Sequence, residues 1–317
     1  MNKLRIAMML TLVLGALPAC SDDNGDEIET EELDARSGPG RDRDSKDAKG
    51  PKAPESAKKD IVSIAVADGR FTTLAKALTD AKLVETLQGA GPFTVFAPTD
   101  DAFKALGQET LSKLTPEQLT TILKYHVIAA DVPSSAIKAG PVKTVSGLSA
   151  FVAVDGKTVK VNDATVTTAD VKGSNGVIHV IDKVLLPPNL VQAATYAGSF
   201  TTLTTAATKA GLVDALSKPD ANLTVFAPTD AAFAAIQSTV AGLSTAQLTD
   251  VLKYHVVAGK VLSTDLKAGS VPTLLTGKNL TVNLTGGVKI NEANVVVADV
   301  VTTNGVIHVV DKVLVPN

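Results

Sequence analysis

The heptamer TVFAPTD occurs twice in the chain, at Thr94–Asp100 and at Thr224–Asp230. Three further stretches repeat with it. FTTL begins at Phe71 and Phe200, LKYHV at Leu123 and Leu252, and NGVIHV at Asn175 and Asn304, each offset by 129 residues against 130 for the heptamer. The near-constant offset means that a whole fold unit has been copied, with one small insertion and one small deletion. Solenoid repeats run ~20–50 residues, so this period is that of a domain. A chain of that length buries roughly two-thirds of its unfolded surface, enough for a core of its own. The boundaries fall at 60–188 and 190–317, and each unit is expected to fold alone. The short joint PPNLVQ between them predicts some relative motion.

Within a unit the first half is helical. Phe71, Leu74, Ala75 and Leu78, then Leu83, Val84 and Leu87, recur at helical spacing. PFTVFAP is short, β-branched and aromatic, and reads as a buried strand. Thr99 or Asp100 after it can cap a helix. LTPEQL starts another: Thr115 caps, Pro116 suits the first turn, Gln118 completes a capping box, and Leu114 and Leu119 have staple spacing. The second copy keeps this physics with Leu243, Ser244, Gln247 and Leu248. The second half of each unit alternates apolar and polar residues between Gly and Asn turns, which predicts antiparallel strands. Each unit is therefore α+β.

The N-terminus differs. Lys3 and Arg5 precede an apolar run of 12 residues, Ile6 to Leu17, too short for a span of ~20. The pattern is that of an export signal. It ends in LPAC, which resembles the lipobox of bacterial lipoproteins, although Pro18 departs from that pattern. Cys20 is the single cysteine of the chain, so a disulfide framework is excluded. The resemblance implies a signal over 1–20 and lipidation of Cys20, and Ser21 after it implies sorting to the outer membrane or cell surface. Residues 21–59 hold few large apolar side chains and no aromatic. Such a composition predicts a disordered polar tether.

The three ordered motifs TVFAPTD(D/A)AF, KYHV and NGVIHV(I/V)D, present twice, resemble the fasciclin domain, over Asp60–Pro188 and about Leu190–Asn317. The resemblance implies a small antiparallel β-sandwich or wedge with a helical layer in each unit. It also implies secreted or surface-anchored binding modules. Animal members engage integrins through a Tyr-His region and an Asp-Ile pair. By position these match Tyr125, His126, Tyr254 and His255, and Asp170–Val171 and Asp299–Val300, with valine replacing isoleucine in both copies. The resemblance thus implies a surface or matrix partner, protein or polymer. The rival function is an envelope carrier of a small ligand, or an enzyme of unknown chemistry.

The remaining chemistry is sparse. The four histidines, His126, His179, His255 and His308, lie at matched positions with no carboxylate or cysteine at ligand spacing, so no metal or other cofactor is expected. The strand pair, His179 and His308, is expected to be buried and bonded to backbone. Asp100 and Asp230 have a capping role that suffices without catalysis. No nucleophile elbow, P-loop or dinucleotide fingerprint is present, so no enzyme activity is expected. A net charge of −3 and the absence of Trp argue against nucleic acid. Six of the 8 Phe pair between the copies, which marks them as core residues.

Overall fold

The computed structural model describes residues 59–316. The expected signal with Cys20, and the tether up to residue 58, lie outside the described residues. The first unit runs α1 (Ile61–Asp68), α2 (Thr72–Asp80), α3 (Val84–Gln88), β1 (Phe93–Pro98), α4 (Asp100–Leu106), α5 (Gln108–Ser112), α6 (Pro116–Tyr125), β2 (Val127–Ile128), β3 (Gly140–Lys143), β4 (Ser149–Asp155), β5 (Thr158–Val161), β6 (Ala164–Gly173) and β7 (Gly176–Ile181). The second repeats it as α7 (Leu190–Ala197), α8 (Thr201–Lys209), α9 (Val213–Ser217), β8 (Leu223–Pro228), α10 (Asp230–Ala235), α11 (Gln237–Ala241), α12 (Thr245–Tyr254), β9 (Val256–Ala258), β10 (Gly269–Pro272), β11 (Asn279–Asn283), β12 (Lys289–Ile290), β13 (Ala293–Val301) and β14 (Gly305–Val310).

The helix starts follow the local chemistry. Thr115 accepts from Gln118 N at 3.2 Å while Gln118 Oε1 accepts from Thr115 N at 2.9 Å, and Ser244 and Gln247 form the same box. Thr99 caps α4 through Ala102 N. The helical stretch from Phe71 to Leu87 divides into α2 and α3, because Lys82 takes a left-handed φ of 55° between them.

Each unit holds one seven-stranded sheet, ordered β2-β1-β7-β6-β5-β4-β3 in the first and equivalently in the second. One pairing corrects the purely antiparallel expectation: β1 runs parallel to β7, with Phe93 opposite Gly176 and Phe96 opposite His179. Parallel neighbours need a long crossover, and here the rest of the unit supplies it. Such a strand is covered on both faces, so it reads as a continuous apolar run rather than an alternating one. Val95 and Ala97 pack on the helical layer, while Phe96 packs on the opposite side. β6 starts beside β5 at Ala164 and Thr165, then continues beside β7 with two register shifts. Bulges bend strands. The bend turns the two halves of the sheet toward each other over a core of Phe96, Ile181, Val152 and Val161.

The two units are in contact. Phe151 of β4 is 3 % exposed and joins the core of the second unit, its ring centroid 6.5 Å from that of Tyr196. Val301 N donates to Ser149 Oγ at 3.1 Å. The joint is also fixed: Thr303 N donates to Pro188 O at 3.0 Å, and Leu190 N to Asn304 Oδ1 at 2.9 Å. The short joint therefore does not stand apart from the units it connects.

Candidate functional site

The Tyr-His pairs end the helices α6 and α12, and they lie inside the fold. Tyr125 is 0 % exposed and His126 2 %, and Tyr254 and His255 are buried as well. The family resemblance implies a part for them in binding; in the structure these buried side chains join layers of the fold. Tyr125 Oη donates to Ser149 O at 2.9 Å and accepts from Asn162 Nδ2 at 3.0 Å, and Asn162 Oδ1 accepts from Phe151 N. Burial pushes the Tyr125 phenol well above its ordinary range. His126 Nδ1 lies 2.7 Å from Ile122 O, and its Nε2 accepts from Leu185 N at 2.9 Å. The proton is thus on Nδ1. Burial lowers the imidazole to about 4, partly opposed by the bond to Ile122 O, and His255 repeats this with Val251 O and Leu314 N.

Asp170 and Asp299 are half-buried and lie within β6 and β13, at the bulges. Both have left-handed φ, 61° and 59°, which aspartate tolerates better than most residues. Asp170 Oδ1 accepts from Ser134 N at 2.8 Å, and its Oδ2 accepts from Ser134 Oγ. Those bonds from Ser134, hydroxyl first, hold the Asp170 carboxyl below its ordinary value, against a smaller burial effect. Asp299 makes the same pair of bonds with Ser263. Val171 is half-buried against the helical core, and Val300 is 3 % exposed.

Ser134, Asp170 and His179 bring together three residue types used in nucleophilic catalysis, but their wiring differs from a catalytic triad. The serine hydroxyl donates to the aspartate. His179 Nδ1 accepts from Asp170 N at 3.3 Å, and its Nε2 lies 2.9 Å from Val132 O. Both ring nitrogens are engaged by backbone, and neither bonds the serine, so no base is aimed at the hydroxyl. His308 has matching bonds to Asp299 N and Val261 O. The rings stack on Phe96 and Phe226 at 5.8 and 5.6 Å. Among the described residues, no group of three or more histidine, aspartate or glutamate side chains could hold a metal.

The heptamer and the second motif are accounted for in the same way. Asp100 serves a helix other than its own. Its carboxylate accepts from Thr73 N at 2.7 Å, Thr72 N at 3.2 Å and Thr72 Oγ1 at 2.7 Å, and so caps α2, whose N-cap Phe71 has no side-chain acceptor. Burial acts to raise its pKa, but these bonds outweigh it and hold the group at about 2. Asp230 does the same for α8. In the NGVIH motif, Asn175 Oδ1 accepts from Ile61 N while its Nδ2 donates to Leu87 O and Gly89 O. A Cβ on Gly176 would lie 2.0 Å from Phe93 O, so only glycine lets β7 start this close to β1.

The sequence reading missed Ser134, Ser263, Asn162 and Asn291. Their signal was the shared offset of 129 residues between polar loop positions. No helix among the described residues is long and apolar enough to cross a membrane.

A family model described as the fasciclin domain matches residues 69–187 and 198–316, more than half of the chain. Protein sll1483 of Synechocystis is 50 % identical over 133 residues, covering 40 % of this chain and 73 % of that protein. Transforming growth factor-beta-induced protein ig-h3 of Sus scrofa is 30 % identical over 249 residues, covering 74 % of this chain but only 36 % of that longer protein. A solved FAS1 domain pair from the insect cell adhesion molecule Fasciclin I is 21 % identical, covers 78 % of this chain and 98 % of that one, and has a TM-score of 0.52; the likeness is one of fold. Two domain-length family matches, with the motifs in the same order and the same bonds in both copies, make the chain a member of the fasciclin family with two fasciclin domains in tandem.

Proposed function

We propose that the chain is an exported, non-catalytic adhesion or binding protein that presents its two fasciclin domains to a surface or matrix partner. The observation that carries this reading is the use of the motifs. The histidines and the motif aspartates are engaged in bonds that hold the fold, which leaves no reactive constellation. The insect neighbour, a cell adhesion molecule by its description, points the same way. Lipidation of Cys20 in a cell envelope, outer membrane or cell surface, completes the proposal, with the polar segment 21–59 as a tether. Two acyl chains give firm anchoring at ~0.8 kcal/mol per buried methylene.

The two Asp-Val pairs differ in surroundings. Val300 lines the cleft at the contact with the first unit, and its neighbour Val301 bonds Ser149 across it. The Asp170–Val171 pair is therefore the copy we assign to the partner. Beads coated with the full mature chain should attach to cells or matrix, and Asp170→Asn should weaken attachment more than Asp299→Asn does. Attachment no better than that of albumin-coated beads would refute the adhesion reading. Substrate turnover that disappears in His179→Gln with the fold intact would refute the non-catalytic one. Cys20→Ser should release the protein from membranes; wild-type protein recovered soluble with a free thiol would exclude the anchor.

A further inference from the structure

Between α7, α8, α9, α12 and the sheet of the second unit lies a partly open apolar cavity of about 60 Å³, lined by Leu203, Ala207, Leu252 and Ile307 among others. The first unit indicates what fits there. α8 begins after Phe200 as α2 begins after Phe71, so Ala207 occupies the position of Leu78. Leu78 is 6 % exposed and packs in the first helical core. Val251 likewise replaces Ile122. The strand beneath reflects the loss: Val95 is buried at 8 % exposure, whereas Val225, its counterpart, is half-buried and lines the cavity.

The volume exceeds the ~10–15 Å³ one water needs, but a buried water also needs two to four polar partners. The polar side chains in the lining are already committed. His255 uses both ring nitrogens, on Val251 O and Leu314 N, and Thr204 donates to Phe200 O and Thr201 O. The half-buried Val191, Leu212 and Leu216 form the rim, which gives a route in past side chains rather than backbone. We propose that this cavity is a binding site for a small uncharged aliphatic molecule, about the bulk of the isobutyl group that Leu78 supplies in the first unit. The site is independent of the adhesion reading, because it lies under the helices rather than on a face.

Xenon, an apolar sphere, is the first probe, used on methyl-labelled full-length protein. Saturable methyl shifts are expected at Leu203, Leu252 and Ile307, with much smaller ones at their first-unit counterparts Leu74, Leu123 and Ile178. Isobutane should displace the xenon. Ala207→Leu should abolish the shifts and raise the melting temperature by ~2–4 °C, as about 1 kcal/mol does in a chain of this size. Ala207→Val, a smaller change, should weaken xenon binding several-fold and serves if the leucine variant misfolds. The proposal is overturned if wild type shows no saturable shift, if both units respond equally, if the shifts survive in Ala207→Leu, or if Ala207→Val binds xenon as tightly as wild type.

Discussion

The two units share their motifs bond for bond, and they differ where they meet and in one packed layer. Phe151 in β4 corresponds to exposed Thr281 in β11, because Ser149 and Asn279 accept the matching tyrosine hydroxyls. The face that receives Phe151 carries Ser199 beside Phe200, and Val297. The same face of the first unit carries Arg70, paired with Asp68 at 2.5 Å and lying over the Phe71 ring, with Thr168 in place of Val297. A side chain that is apolar at one end of the pair is polar at the other, so the contact is directional and is not offered again by either free end. Divergence after the duplication thus fell on surfaces that had become unlike, while positions tied by several long-range bonds stayed fixed.

The largest expected effect tests whether the shared positions are equally binding in both units. Phe96→Ala and Phe226→Ala each remove a ring that is nearly fully buried, and should cost ~3–5 kcal/mol in chemical denaturation. A loss confined to one of the two would show that the copies have separate tolerances. Next in size is acid. His126 and His255 have a folded pKa of about 4 and an unfolded value near 6.5. Below 6.5 the unfolded chain binds protons that the folded one does not, so this contribution is complete above pH 6.5 and is lost as pH falls toward 4. The shift corresponds to roughly 3 kcal/mol per histidine. Urea midpoints should fall across that window, and a flat profile would mean these rings are reached by solvent.

The contact between units comes third. Phe151→Thr, which copies the residue of the second unit, should cost ~2 kcal/mol, the burial of one ring. It should also separate calorimetric unfolding into two transitions. A single unchanged transition would reduce the contact to a passive one. The smallest effect concerns the cap supplied across helices: Asp100→Ala should cost ~1 kcal/mol, and Asp230→Ala about the same. A much larger loss in one unit would break their equivalence at that position.

The helix starts and β1 were legible because they rest on neighbours in sequence: Thr115 and Gln118 meet across three residues, and PFTVFAP is short, β-branched and aromatic. The alternating half was legible for the same reason. What escaped was long-range. Asp100 looks like the cap of its own helix, yet its oxygens serve Thr72 and Thr73, 28 and 27 residues earlier. Nothing local distinguishes the parallel pairing of β1 from an antiparallel one. The tyrosine and histidine of KYHV look accessible at a helix end, but the chain after it covers them with Asn162 and Leu185. Phe151 could be noticed as a phenylalanine without a twin, but not placed.

The parallel pairing also bears on how such a chain can be made. The strand next to the edge of each sheet, β1 or β8, is synthesised early, and its parallel neighbour emerges only after the crossover, from Phe93 to Gly176 in the first unit and from Leu223 to Gly305 in the second. Until then the ribosome holds a half-built domain with an open, apolar edge. In the second unit the closing strand ends at Val310. A premature stop or a protease cut just before Val306 would therefore take away an interior strand of that sheet, and leave a product fit for degradation instead of a shortened domain.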